Sequence, residues 1–283
     1  MSWLFEPGFF SSQPVRVAVT IGGMVAVASA VVGIFTVLRG QSFAGHSLSD
    51  VATAGGSGAL LVGLSPLAGF LGGGVAGALA MDLIGVQRIR GRDLATGVVL
   101  GAATGLSALF LYFDATSRSI NGAAQQILFG SIFTIDSSTI PVVAGCAVAT
   151  LLVVAAVWRP LLLSSVSTEA AAARGVHLRL IGSLFMVALA LAVGLSALAI
   201  GAVLSTALLI GPAASAVRLT RRVGTATLAA VGLGIGTTWA GVLLSYDSYY
   251  WTSSHKVFPV SFCIVALVLA VYLGSGVVAR WRR

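Results

Sequence analysis

The sequence predicts an all-α bundle of membrane-spanning helices. Three observations carry this: long apolar runs, scarce charge, and a one-sided distribution of the charge that remains. Of 283 residues, 58% are hydrophobic and 8% charged, whereas a soluble domain keeps roughly a quarter of its residues charged. Mean hydropathy is +1.03. Apolar runs fall at 17–38, 42–64, 66–86, 94–113, 140–158, 180–197, 199–211, 224–245 and 258–279. Several approach the ~20 residues that a helix needs to cross a bilayer. Residues 1–283 therefore read as one transmembrane domain of about nine (eight to nine) spans.

The elements follow in order. Met1 to Gln13 lacks a basic n-region and holds Glu6, so a cleavable signal peptide is not expected. Trp3, Phe5, Phe9 and Phe10 suit an interfacial segment. Run 17–38 stops at Arg39, and run 42–64 opens with the polar stretch Gly45-His46-Ser47-Leu48-Ser49-Asp50. Run 66–86 leads into Arg88, Arg90 and Arg92, and run 94–113 follows. Residues 114–139 are too polar in their first half to cross; they read as an external loop leading into a short helix near Gln125 to Phe133. After run 140–158, the stretch Pro160 to Arg179 contains Glu169-Ala-Ala-Ala-Ala-Arg174, a strong helix former. Run 199–211 is short for lipid exposure and is expected inside the bundle. At Gly211-Pro212 the proline favours a new helix start, because its missing N–H costs nothing at the first position.

Nine crossings with the N-terminus outside put Arg39, Arg88, Arg90, Arg92, Arg159, Arg174, Arg179, Arg218, Arg221, Arg222, Arg280, Arg282 and Arg283 in the cytoplasm. Only Arg16, Arg118 and Lys256 then face out. Fusing run 199–211 with its predecessor gives eight crossings and spoils this positive-inside bias. The net charge of +8 thus reflects topology rather than nucleic-acid binding. Lys256 is the chain's lone lysine, and its surroundings, Ser253-Ser254-His255-Lys256-Val257, do not make a phosphate-binding P-loop. Any ATP chemistry must come from a separate chain. No Ser-His-Asp or HExxH arrangement supports a hydrolase. Cys146 and Cys263 lie in apolar runs and read as packed small hydrophobes.

Ionisable groups inside a bilayer are expensive and usually mark a pathway. His46 and Asp50 stand four residues apart, so on a helix they share a face and could both ligate a first-row dication. The competing reading is that Asp50 caps a helix starting at Val51, with His46 in the preceding loop. Asp82 is expected to reach Arg88, and Asp93 to favour a helix start. His255 is placed in an external loop with Asp247, Tyr249, Tyr250 and Trp251, and His177 on the cytoplasmic surface.

Four stretches carry a family resemblance. Val37-Leu38-Arg39-Gly40-Gln41-Ser42-Phe43-Ala44-Gly45-His46-Ser47-Leu48-Ser49-Asp50 resembles the LRR-x-SF-x-GDA-x-SHA pattern of metal-ion ABC importer permeases. Arg92 to Val99 resembles the same family's ED-x-AIGVV, and Ile127 to Ile132 its LFG-[NS]-I. Leu208-Leu209-Ile210-Gly211-Pro212-Ala213-Ala214-Ser215-Ala216, followed by Arg218-Leu219-Thr220-Arg221-Arg222, is similar to its LLI-x-PAA-x-A-x-LL-x-RR. The matches keep their order over most of the chain.

The resemblance implies a fold like that of type II ABC importer permeases. It implies a homodimer in a bacterial cell membrane, served by a cytoplasmic ATPase dimer and an extracytoplasmic metal-binding protein. Zinc or manganese would be cargo, with no permanently bound cofactor and no catalysis by this chain. Gly211, Pro212, Ala213, Ala214, Arg218, Arg221 and Arg222 would couple to the ATPase, with Glu169 and Asp93 as secondary candidates. The family's intramembrane ion site uses the aspartate and histidine of GDA-x-SHA. Here the order is exchanged, His46 for the aspartate and Asp50 for the histidine. Two such pairs across a dimer axis would supply four ligands, a set suited to Zn²⁺ and less characteristically to Mn²⁺. A permease for a metal chelate such as a siderophore, or an ATP-independent carrier or channel, are the alternative readings.

Overall fold

The computed structural model describes residue 9 and residues 11–84, 92–117, 122–130, 132–251 and 257–281. The expectations placed on Trp3, Phe5, Phe10, Arg88, Arg90, Arg118, His255, Lys256, Arg282 and Arg283 lie outside the described residues. Among those described, the chain forms α1 (Gln13–Leu38), α2 (Ser42–Leu61), α3 (Pro66–Ile84), α4 (Arg92–Ser117) and the short α5 (Ala123–Phe129). Two 3-10 turns lead into α6 (Ile140–Ala156), α7 (Trp158–Val166) and α8 (Thr168–Ala173). The chain closes with α9 (Leu178–Ile200), α10 (Ala202–Leu219), α11 (Val223–Trp251) and α12 (Val260–Trp281). The fold is an all-α polytopic bundle.

Eight spans pass on length and apolarity: α1, α3, α4, α6 with its preceding turn, α9, α10, α11 and α12. The ninth long helix, α2, has 20 residues and carries the polar stretch. It packs against α3, α4, α9 and α10. Neighbours replace lipid around its serines, threonines and ionisable groups, so a polar helix is tolerated there.

Two helices form the centre. In α1 and α9, 67% and 72% of the apolar window is buried, against 17–28% in α3, α4, α6 and α12. Ser29 of α1 and Ser196 of α9 share a hydrogen bond of 2.7 Å, both fully buried. Further along α1, Phe35 packs edge-on against Trp158 and Phe185. The outer helices turn Leu94, Val98, Leu152, Leu269 and Leu273 outward, the surface that lipid covers.

Small residues set several close approaches, one of them between α2 and α3. A Cβ on Gly55 would collide with the Gly69 carbonyl oxygen and stand 2.8 Å from Gly73 Cα. In lipid such backbone contact, rather than hydrophobic exclusion, drives helices together. At the opposite end of α9, Gly201 (φ +85) and Gly130 (φ +72) take the left-handed conformation against each other. Only glycine fits there without strain.

Several local expectations change. Pro212 does not open a helix: it lies inside α10, which runs unbroken to Leu219. A proline interior to a helix costs ~3 kcal/mol in water. Here Leu208, Leu209, Ala213 and Ala216, all buried, hold both halves in the bundle. The helix is thereby long enough to cross, so run 199–211 is short only if Pro212 ends it. α4 continues through residues 114–117, taking Asp114 into the buried interior. α11 likewise continues through Tyr249, Tyr250 and Trp251, and Asp247 is fully buried instead of looped out.

Two expectations of local helix hold. Glu169 lies in the first turn of α8, where the Ser167 hydroxyl accepts the Ala170 N–H at 3.1 Å as an N-cap. The short helix expected near Gln125 to Phe133 is α5, somewhat shorter than expected. In the loop beyond it, Asp136 accepts the Ser138 N–H at 2.8 Å, which holds its carboxyl below the usual carboxylate range.

Candidate functional site

α2 begins at Ser42 with Gln41 as its N-cap, so Asp50 sits two turns inside it and does not cap. His46 and Asp50 occupy one helix face and both are half-buried. Of the two readings open in the sequence, the structure therefore has the shared helical face.

That face meets α4. Thr104 Oγ1 donates to Asp50 Oδ2 at 2.6 Å, a short bond as expected for a charged acceptor. One turn on, Ser107 Oγ donates to the Asp50 carbonyl at 3.2 Å, and Ser47 Oγ donates to the Thr96 carbonyl at 3.3 Å. The opposite side of α2 is tied to α10: Ser49 and Ser205 hydroxyls lie 2.7 Å apart, both within bonding reach of the Ala202 carbonyl. α2 is thus held by hydroxyl contacts from two sides, which orients the carboxylate without spending both of its oxygens.

Chemically, the pair offers an imidazole nitrogen and a carboxylate of which one oxygen is bonded to Thr104. Among the described residues no three His, Cys, Asp or Glu side chains cluster about one point. The described residues therefore place a pair of candidate donors here rather than a closed cage. α4 beside Asp50 bears Gly97, Gly101 and Gly105, each with open space where a side chain would stand.

The remaining candidates are dispersed. Asp82 Oδ2 accepts from Ser183 Oγ of α9 at 2.6 Å. Asp93 lies in the first turn of α4, its side chain outside the described set. Glu169 is exposed on α8. Of the seven coupling candidates, Pro212 and Ala213 are buried, Gly211 and Ala214 half-buried, and Arg218, Arg221 and Arg222 exposed. Gly211 packs against Val268 of α12. The first four are therefore bundle residues, and the accessible face is arginine. Arg218 lies over the Tyr272 ring, 3.9 Å from its centroid, and donates to its hydroxyl. Nearby, Arg39 Nη1 donates to Ser164 Oγ at 2.9 Å, fastening α7 to the end of α1.

Sequence reasoning missed Thr104, Ser107 and Ser183. The available signal was small: a Thr and a Ser three residues apart within an otherwise apolar run share a helix face.

Comparison with known proteins agrees with this architecture. "Manganese transport system membrane protein MntC" of Halalkalibacterium halodurans is 29% identical over 266 residues, 94% of this chain and 90% of the relative. "Chelated iron transport system membrane protein YfeC" of Yersinia pestis is 26% identical over 230 residues, 81% of this chain and 76% of the relative. The structure titled "PsaBC from Streptococcus pneumoniae in complex with Fab" superposes with a TM-score of 0.80 at 23% identity, covering 95% of this chain and 92% of that one, which establishes the shared fold. The model of the ABC 3 transport family matches residues 11–275, and so this chain belongs to the ABC 3 transport family.

Proposed function

We propose that this chain is the membrane-spanning permease of a bacterial ABC importer for a first-row divalent metal ion, and that His46 and Asp50 contact the ion in transit. The observation that carries the ion site is their placement on one half-buried face of α2, with Thr104 fixing the carboxylate. Manganese leads as cargo because relatives across most of the chain are named for manganese transport. Zinc, which the His/Asp donor set also suits, is the second candidate.

Two copies complete the site. Four ligands need two His46–Asp50 pairs, and the open Gly97, Gly101 and Gly105 positions on the adjoining helix permit close helix contact. ATP hydrolysis belongs to a partner ATPase. Its docking surface is proposed at the arginine-bearing end, where Arg218, Arg221, Arg222 and the Glu169 face of α8 are exposed. Gly211, Pro212, Ala213 and Ala214 then act behind that surface, passing movement along α10 to Ser205 and α2. The positive-inside rule places that end in the cytoplasm and the start of α1 outside, where a binding protein delivers the ion. The family assignment leaves an ATP-independent carrier or channel without support.

Uptake of radioactive manganese and zinc by cells co-expressing this chain with its ATPase and binding protein tests the reading. Manganese uptake should require all three and fall to background in Asp50→Asn at unchanged membrane abundance. The chelated-iron relative favours a second reading, a chelate permease. Uptake that survives Asp50→Asn and Asp50→Ala would remove the ion-site assignment and bring that reading forward.

A further inference from the structure

The end of α10 and the last turns of α12 enclose a cleft of about 1100 Å³. Arg218, Thr220 and Arg221 line one side, Gly276, Ala279 and Arg280 the other. Three of its eight lining residues are arginines, contributed by two segments far apart in sequence, and no carboxylate is among them. Guanidinium groups facing one another across a cleft repel unless an anion enters between them, and their fork geometry matches phosphate oxygens.

The cleft is also shaped. The Arg218 guanidinium is held over the Tyr272 ring and bonded to its hydroxyl, which removes much of the freedom of a long side chain. Gly276 keeps the space before it open, since a Cβ there would stand 3.6 Å from Arg218 Nη1 and meet nothing else within 4 Å. From this point an apolar stripe runs back along α12. Leu273 and Leu269 follow Val277 at four-residue intervals and are 61%, 56% and 56% exposed. One face of one helix thus joins a cationic cleft to a lipid-facing track.

We propose that this cleft holds the phosphate of an anionic membrane phospholipid, with its acyl chains lying along Leu269, Leu273 and Val277. A basic pocket between transmembrane helices is the chemistry that recognises such headgroups. A protein partner explains the arginines but not the apolar track, because a water-soluble chain does not enter the hydrocarbon region. The bound lipid bridges α10 to α12, shares Arg218 and Arg221 with the edge of the proposed ATPase-facing surface, and steadies the end of the helix that carries Pro212. The proposal stands apart from the identity of the transported ion.

The experiment uses the permease purified in mild detergent with its ATPase. Retained phospholipid is measured by mass spectrometry, and thermal stability is followed on adding phosphatidylglycerol, phosphatidylcholine or inorganic phosphate. Wild type should retain anionic lipid and be stabilised by phosphatidylglycerol alone. Gly276→Leu keeps every charge but sets a branched side chain against the Arg218 guanidinium at the cleft wall, so it should lose both properties. Gly274→Leu, on the same helix with open space around it, should behave as wild type. Arg280→Gln, outside the proposed ATPase-facing set, should weaken retention about fivefold, the worth of one cation at a lipid surface. Undiminished retention in Gly276→Leu and Arg280→Gln would overturn the proposal. Equal stabilisation by phosphatidylcholine or by inorganic phosphate would overturn it too. So would a Gly276→Leu protein that keeps its lipid but releases the ATPase, since the cleft would then belong to the partner.

Discussion

Asp50 owes its orientation to one hydroxyl. Thr104 donates to it at 2.6 Å from a different helix, and a hydrogen bond to a charged group contributes ~1.5–3 kcal/mol. Thr104→Val removes the donor while keeping the shape, leaving the carboxylate present but free to turn. Half-saturation for ion uptake should rise by about tenfold, the lower part of that range. The maximal rate should change far less, and Thr104→Ser should restore the wild-type value. A Thr104→Val protein with unchanged half-saturation would make the bond incidental to the ion. The His46–Asp50 pair was legible in the sequence because four residues on a helix is a local relation. Thr104 was not, because hydropathy cannot say which faces of two helices meet across 54 positions. Ser183 shows the same limit: its hydroxyl donates to Asp82, 101 residues away, a distance that no local window spans.

At the scale of elements, helix contact is set by small residues that leave room for backbone. Gly69 faces Gly55 so closely that an added Cβ would meet the Gly55 carbonyl and stand 2.6 Å from the Ala59 Cβ. Gly72, three positions on, has nothing within 4 Å. Gly69→Val should therefore separate α2 from α3 and lower stability by ~1–3 kcal/mol, the usual range for overpacking. Gly72→Val should leave the thermal midpoint where it is. Equal midpoints for the two variants would show that the α2–α3 contact yields without penalty. The abundance of glycine was visible in the sequence; which glycines face a neighbour was not. Pro212 misled for a related reason. Local propensity favours a helix start at proline, whereas tertiary packing around Leu208, Leu209 and Ala213 keeps α10 continuous. The extra turns of α4 and α11 have the same cause. Asp114 and Asp247 look like loop residues in a window of sequence, yet both are buried in the bundle.

At the scale of the molecule, α2 decides how many times the chain crosses the membrane. It alone among the long helices falls short on apolarity, yet α3, α4, α9 and α10 surround it. Alternation puts the link at Val62 on the same side as Ser138 and opposite Thr168, and if α2 crosses, Ser11 before α1 joins the Val62 side, all four exposed. The arginines at the ends of α1 and α10, and those flanking α7 and α8, then share the Thr168 side, which the positive-inside rule makes cytoplasmic. With Cys146 and Cys263 replaced by alanine, Ser11→Cys, Val62→Cys and Ser138→Cys should react with a membrane-impermeant maleimide on intact cells. Thr168→Cys should react only after permeabilisation. Labelling of Thr168→Cys alone from outside would invert the orientation and place the arginine cleft on the outer leaflet. An accessible Ser11→Cys beside a protected Val62→Cys would instead mean that α2 does not cross. An eight-span chain of that kind would leave His46 and Asp50 on a re-entrant segment, reached from the cytoplasm only. An ion entering from outside would then need another first contact, so the count of spans and the route of the ion are settled by the same four cysteines.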